Sequence, residues 1–229
     1  MIHSHSRSRC ISIVIVAGLL VVCLAPSANA LTGNARYEAP FSGYEGTYEW
    51  RGIMAYTYVY NWYLPGYDKQ HVSSVYIRHP ITENLRHMEI GVFKRYVSPA
   101  VVFVQVNNNP YDFNDFYQCD IGFVFPGQTP KLLIRNMTMG VPDATWERWI
   151  MSWNDAIYFD GLHPLTYGQA WESAETKYLG DDNRAYWFAS KRTSKPASWT
   201  YWTASRERTH QDYIYDFYKV NETKWYNKL

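Results

Sequence analysis

Two glutamates lie within segments whose composition is typical of β-strands. Glu89 stands in the run His-Met-Glu-Ile-Gly-Val-Phe, and Glu175 ends the run Gln-Ala-Trp-Glu-Ser-Ala-Glu. Acidic side chains are disfavoured inside strands unless they have a structural or catalytic role. Two carboxylates that share a partly buried surface can divide the work, one acting as a base and the other as an acid. Such a pair could activate water against an amide or a glycosidic bond.

Strand alternation predicts which residues accompany each glutamate. Glu89 shares its face with Gly91, and a glycine there is expected to leave open space beside the carboxylate for a substrate. Glu175 shares its face with a glutamine, a tryptophan and a serine, a mixture more typical of a cleft wall than of a core. Glu89 and Glu175 are therefore the predicted catalytic pair, and they could share one concave surface if their two strands are neighbours in a curved sheet. The predicted substrate-binding residues are Gly91, Gln169 (as an oxyanion-stabilising donor), Trp171 and Ser173.

Other reactive residue types give weaker signals. Glu83, Glu147 and Glu172 are predicted to lie on the surface, with Glu172 as a rival to Glu175 if its strand carries a bulge. No Gly-x-Ser-x-Gly motif occurs, and Cys119 is expected to be a buried, inert thiol. The five histidines after residue 30 lack metal-ligand spacing, so neither a metal nor a cofactor is predicted.

Short runs rich in β-branched and aromatic residues, separated by turn residues, predict an all-β protein. The expected fold is an antiparallel double-sheet β-sandwich of jelly-roll, concanavalin-like type. Residues 203–219 are compatible with either a short helix or a pair of strands. The predicted strands are 52–63, 72–77, 86–96, 101–106, 121–125, 131–137, 146–153, 156–159, 169–178 and 184–190.

The first thirty residues have the pattern of a secretion signal. Arg7 and Arg9 precede an apolar run over 11–24, and Ala-Asn-Ala at 28–30 supplies a cleavage site. The run is shorter than the ~20 residues that cross a bilayer. Cleavage after Ala30 would leave a secreted, extracellular single domain over 31–229 that does not bind membranes. The formal charge of +1 would become 1 − 2 = −1, which gives no bulk attraction to nucleic acid.

The chain contains 21 tyrosines and 10 tryptophans, more than a core of this size needs, so some must be exposed. Exposed rings could stack on a sugar or a peptide. Alternatively, cross-strand aromatic pairs stabilise a sheet without any ligand. A non-catalytic carbohydrate-binding module therefore stays open beside the enzyme hypothesis, as does a glycoside hydrolase that uses the same carboxylates.

Four short motifs together resemble a known family. They are Glu89-Ile90-Gly91, the strand over 101–106, the segment 171–175 (Trp-Glu-Ser-Ala-Glu) and the segment 185–188 (Ala-Tyr-Trp-Phe). The pattern, spread over about residues 43–225, resembles the catalytic domain of neprosin-type glutamic peptidases and their secreted microbial relatives. The resemblance implies a jelly roll whose concave face holds two glutamates that activate water against peptide bonds, here Glu89 and Glu175. Val92 departs from the family pattern, in which a tryptophan follows the glycine.

Overall fold

A computed structural model of the chain describes part of its length, and every regular element in that part is a β-strand. The predicted signal at 1–30 lies outside it. No described helix is long and apolar enough to cross a membrane. The described residues are 34–38, 50–64, 66–67, 69–78, 87–96, 98–107, 116–138, 146–165, 168–176, 184–195, 198–201, 208–211, 216–221 and 223–228.

The strands are numbered β1 to β15 in the order in which they follow one another along the chain. They are β1 (Asn34–Glu38), β2 (Gly52–Thr57), β3 (Gln70–Arg78), β4 (His87–Arg95), β5 (Ala100–Asn107), β6 (Phe116–Val124), β7 (Lys131–Asn136), β8 (Glu147–Trp153), β9 (Ala156–His163), β10 (Gln169–Thr176), β11 (Ala185–Lys195), β12 (Ser198–Tyr201), β13 (Arg208–Gln211), β14 (Asp216–Asn221) and β15 (Lys224–Lys228).

Two antiparallel sheets contain these strands. The first sheet has the order β13-β1-β10-β3-β4-β5-β6, and the second has the order β14-β15-β11-β2-β7-β8-β9, with β12 paired to β11. The predicted all-β, two-sheet antiparallel sandwich is confirmed, while the jelly-roll type stays a prediction. Within 203–219, where the sequence was compatible with a helix or with two strands, the described residues form β13 and part of β14.

The core lies between the two sheets because each contributes an alternating apolar face. Met88, Ile90 and Val92 of β4 are fully buried, and β4 lies over β7, whose Leu132 and Ile134 are also fully buried. Burying each such side chain contributes about 1.5–3 kcal/mol. The alternation of apolar residues thus fixes which face of β4 points inward. It thereby also fixes that Glu89 lies on the opposite face.

Two glutamates predicted to lie on the surface are instead buried, so that prediction was wrong for both. The Glu147 carboxylate accepts hydrogen bonds from Arg51 Nη1 at 3.2 Å and from the Asn136 side-chain amide. The fully buried Glu172 accepts one from Trp225 Nε1 at 2.5 Å. Their strand positions turn both carboxylates toward the space between the two sheets, and hydrogen-bond partners compensate the lost hydration. Glu83 lies outside the described residues.

Glu147→Gln should lower the free energy of unfolding by about 2–3 kcal/mol, because it leaves the Arg51 charge facing a neutral group at a poorly hydrated position. Chemical denaturation would measure the loss. Asp155→Asn is the matched control, since its ion pair with Lys131 involves a carboxylate that is 74% exposed and should contribute less than about 1 kcal/mol. Equal losses in the two variants would contradict a structural role for the buried pair.

Candidate functional site

The side of the first sheet that faces away from the second sheet, here called the outer face, carries the residues singled out from the sequence. Directly paired residues of antiparallel strands point to the same face. The pairing register therefore places Glu89 in the middle of a row that crosses five strands. From β10 to β6, this row comprises Trp171, Tyr76, Glu89, Gln105 and Gln118.

Glu89 has a polar environment on this face. Its Oε2 atom lies 3.7 Å from His87 Nε2, and the two side chains are 16% and 17% exposed. Gln105, the cross-strand partner of Glu89, has its Nε2 atom 2.8 Å from the same His87 nitrogen, to which the amide donates. A carboxylate, an imidazole and an amide donor are thereby gathered at one partly buried point. The groups needed to accept a proton and to stabilise a developing oxyanion are both present.

An aromatic wall stands beside Glu89. The rings of Tyr76 and Trp171 are stacked with their centroids 6.2 Å apart, and both are nearly buried. Arg78 places its guanidinium carbon 4.9 Å from the Trp171 ring centroid and donates from Nε to Gln169 Oε1 at 3.2 Å. Trp171 therefore contacts Tyr76 and Arg78 of β3, which the sequence alone did not indicate. The predicted part of Trp171 in a cleft wall stays a prediction.

Ser173 is on the same face but does not line an open cleft. It is fully buried, and its Oγ atom lies 2.9 Å from Ser74 Oγ, so the two hydroxyls share a hydrogen bond. Its structural contribution is to tie β10 to β3 beneath the aromatic wall. The predicted substrate contact by Ser173 stays a prediction.

The open space expected beside Gly91 is absent, and that expectation was wrong. A Cβ atom added at Gly91 would lie 2.6 Å from Ser74 Cβ, 2.7 Å from the Ser73 carbonyl oxygen and 2.8 Å from Phe103 Cε1. The Phe103 ring on β5 fills the volume that the glycine leaves. Gly91 therefore permits close packing of three strands rather than access for a substrate.

Gly91→Ala should destabilise the fold by about 1–3 kcal/mol, since a backbone oxygen and two strands must shift to admit the methyl group. Gly161→Ala is the matched control, because the nearest atom there is Phe159 Cζ at 3.0 Å, on a ring that can turn. Thermal unfolding would compare the two variants. A Gly91→Ala protein as stable as the wild type would contradict the packing role.

The two predicted catalytic glutamates share the outer face but are not neighbours. Glu89 pairs with Tyr76, whereas Glu175 pairs with Val72, four residues further along β3, and β3 separates the two strands that carry them. These offsets put their Cα atoms about 16 Å apart. β10 carries no bulge in this pairing, so Glu172 is not a substitute for Glu175. One bound water cannot contact both carboxylates in this arrangement, and their joint action in catalysis stays a prediction.

Asp120 on β6 is an acidic residue of the outer face that sequence reasoning missed. It pairs with Phe103 of β5. Asp120 is thus displaced from Glu89 by two strands across the sheet and by two residues along them, which separates the Cα atoms of Asp120 and Glu89 by about 12 Å. Partial burial raises the pKa of Asp120 above its usual value, while the positive charge of Arg95 acts in the opposite direction. Asp120 is nevertheless an exposed residue, so solvent screens the effect and the charged form is only weakly disfavoured in the folded protein.

Asp120→Asn should raise the free energy of unfolding slightly at about pH 7, because the substitution removes a carboxylate whose ionisation the folded state weakly opposes. The gain should disappear at about pH 3, where the carboxyl group is protonated in both folded and unfolded chains. Urea titrations at both pH values would test this. A loss of stability at the higher pH, or an unchanged gain at the lower, would contradict it.

Sequence reasoning also missed His87, Gln105 and Arg78 as members of the site. Their strands were predicted over 72–77, 86–96 and 101–106, but the pairing that brings them beside Glu89 is a long-range property. The one available signal is that Gln105 and Asn107 alternate with the apolar Val104 and Val106 in their strand. Within the described ranges, no group of three or more His, Cys, Asp or Glu side chains is arranged to hold a metal ion.

The class of protein that this architecture defines is a two-sheet β-sandwich with the fold of glutamic peptidases. A structure of SCP-B, a member of the Eqolisin family of peptidases in a complex with the tripeptide Ala-Ile-His, has a TM-score of 0.51 at 10% identity, covering 86% of this chain and 96% of that chain. A structure of scytalido-glutamic peptidase with a transition state analog inhibitor has a TM-score of 0.54 at 10% identity, covering 88% of this chain and 99% of that chain.

A second structure of scytalido-glutamic peptidase, with a peptide-based transition state analog, gives a TM-score of 0.56 at 9% identity and covers 87% of this chain and all of that one. Likeness at this level of identity establishes the fold alone. No protein-family model matches the sequence, and no curated protein matches it either.

Proposed function

We propose that this protein is a secreted peptidase of the glutamic type in which Glu89 activates the water that attacks a peptide bond. The observation that carries the proposal is the position of Glu89, which is partly buried in the middle of the outer face with His87 and Gln105 around its carboxylate. The glutamic-peptidase fold adds support. So does the resemblance to neprosin-type peptidases, in which Glu89 corresponds to the first catalytic glutamate.

Each proposed step uses a group already in place. The Glu89 carboxylate accepts a proton from water as the water oxygen bonds to the carbonyl carbon of the substrate. The Gln105 side-chain NH₂ group has two hydrogens, so one can donate to His87 while the other donates to the oxyanion that forms. When the C–N bond breaks, Glu89 returns the proton to the leaving amine. The carboxylate is then restored, and the two products are a free acid and a free amine.

Glu175 has a different role in this proposal from the one that its sequence suggests. An extended peptide rises about 3.3 Å per residue, so the separation of about 16 Å from Glu89 corresponds to roughly five residues of substrate. Glu175 would contact the substrate at a distance from the scissile bond. Its loss should change affinity more than turnover.

Casein cleavage across about pH 3 to pH 7 would test the proposal with purified protein lacking residues 1–30. Glu89→Gln should lower kcat/KM at least about 1,000-fold, and Gln105→Leu about 100- to 1,000-fold through loss of the oxyanion donor. Glu175→Gln should lower it less than about tenfold. Gln118→Leu, the next glutamine in the same row, is the matched control for Gln105→Leu.

Circular dichroism must show that all four variants fold. Cleavage that survives Glu89→Gln would end the proposal. An equally severe loss in Glu175→Gln would instead favour the two-glutamate mechanism and require the strands to rearrange around substrate.

The geometry gives less support to a carbohydrate-binding module than to a peptidase. Outward-facing rings do cross the second sheet, but Tyr56 stacks on Phe188 at 5.3 Å, and Tyr218 stacks on Tyr226 at 5.0 Å. Rings this close and nearly parallel each cover one face of the other, which reduces the ring surface that a sugar could stack on. These pairs are typical of cross-strand sheet stabilisation. A glycoside hydrolase is also disfavoured, because its carboxyl groups lie within about 5–9.5 Å of each other.

A further inference from the structure

Two segments of the chain match the acceptor sequence for N-linked glycosylation, which is Asn-x-Ser/Thr with x other than proline. They are Asn136-Met137-Thr138, where β7 ends, and Asn221-Glu222-Thr223, where β14 ends. This acceptor sequence is used only in exported chains, and the first thirty residues have the pattern of an export signal. The contacts of the two asparagines decide which of them can carry a glycan in the folded protein.

The two segments have the same local geometry. The side-chain Oδ1 atom of each asparagine accepts a hydrogen bond from the backbone N–H of the threonine two residues later. The distance is 2.7 Å for Asn136 and 3.0 Å for Asn221. Asparagine readily forms such an Asx turn at the end of a strand. Because sequence and local structure agree at both sites, any difference between them must come from the tertiary environment.

Asn136 has no room for a glycan in the folded protein. Its side chain is fully buried, and Nδ2, the atom to which a sugar is attached, donates to the Glu147 carboxylate. A sugar on this nitrogen would have to fit between the two sheets, where it would also displace the carboxylate from its hydrogen bond with Arg51. A chain modified at Asn136 therefore cannot adopt this fold.

Asn221 is in the opposite environment, since it is exposed at the end of β14. It pairs with Lys224, so only two residues connect β14 to β15. Its Oδ1 atom also accepts from Thr223 Oγ1 at 3.3 Å, which holds the oxygen against the turn. Within the part of the chain that the structure describes, Asn221 Nδ2 donates to no acceptor. A sugar on this nitrogen would extend into solvent without breaking a hydrogen bond.

We propose that Asn221 carries an N-linked glycan, and that Asn136 does not, when the chain passes through a eukaryotic secretory pathway. Asn221 Nδ2 bonds to the anomeric carbon of an oligosaccharide as the bond between that carbon and the phosphate oxygen of a lipid diphosphate carrier breaks. The nitrogen gives up one proton, and the lipid diphosphate leaves with the bonding electrons. The inference rests on the secretion in the proposed function but not on catalysis by Glu89.

Expression of the full chain in a cultured eukaryotic cell line would test the assignment on protein recovered from the medium. Release of the glycan by a peptide N-glycosidase in H₂¹⁸O labels each asparagine that carried one, and mass spectrometry of peptides locates the label. We expect label at Asn221 and none at Asn136, because a chain modified at Asn136 cannot fold and is retained by the cell. A folded, secreted protein with a glycan at Asn136, or without one at Asn221, would overturn the inference.

Variants of the second segment separate the acceptor sequence from its surroundings. Asn221→Gln and Thr223→Val should each abolish the glycan, whereas Thr223→Ser, which keeps the acceptor sequence, should retain it. Glu222→Gln is the matched control, because it changes the middle residue, which the acceptor sequence leaves free. Loss of the glycan in Glu222→Gln, or its persistence in Thr223→Val, would contradict Asn221 as the acceptor.

This inference and the proposed function fail in different ways. A secreted protein that carries the glycan but cleaves no casein would keep the glycosylation site and remove the peptidase. A protein that stays in the cytosol would remove secretion. Residues 31–229 exported behind a signal of the host would then test Asn221 alone, and an unmodified Asn221 in that protein would remove the glycosylation site as well.

Discussion

The site depends on the pairing register of β3 with β4. Nine successive residue pairs, from Gln70 with Arg95 to Arg78 with His87, follow one another without a bulge. A slip of one residue would turn Glu89 into the core and Ile90 onto the outer face. Ile90 and its two apolar neighbours in alternation are fully buried, and exposing each would cost about 1.5–3 kcal/mol. The core therefore sets the register, and the register places the candidate catalytic carboxylate.

Acidic residues in this fold divide into two kinds according to the layer that they face. Glu147 and Glu172 point inward and are compensated by Arg51 and Trp225, so their role is to join strands and sheets. Glu89 points outward, where an imidazole and an amide surround it without closing it off from solvent. The likeness to glutamic peptidases, at about 10% identity, establishes the two-sheet fold alone. The chemistry must be argued from the face itself.

Local sequence patterns predicted what local geometry determines. The strands predicted over 146–153 and 156–159 are an example, since they leave only Asn154 and Asp155 between them. Both residues have positive φ, at 48° and 68°, as a tight turn between β8 and β9 requires. Alternation placed Trp171 and Glu175 on one face of their strand, which the register confirms. It could not show that the second sheet covers Glu172, or that Phe103 fills the space beside Gly91. Both facts depend on which distant strands pair or pack, and no period within a single strand encodes that.

Mapping where a peptide binds would test the proposed site most directly. Nuclear magnetic resonance spectra of ¹⁵N-labelled Glu89→Gln protein, titrated with a hexapeptide, would report on both sheets at once. We predict shifts in the outward-facing residues of β3, β4, β5 and β10 and in the Trp171 indole, with the second sheet unchanged. Shifts confined to the aromatic pairs of the second sheet, such as Tyr56 with Phe188, would contradict this site and locate the binding surface on the opposite side of the molecule.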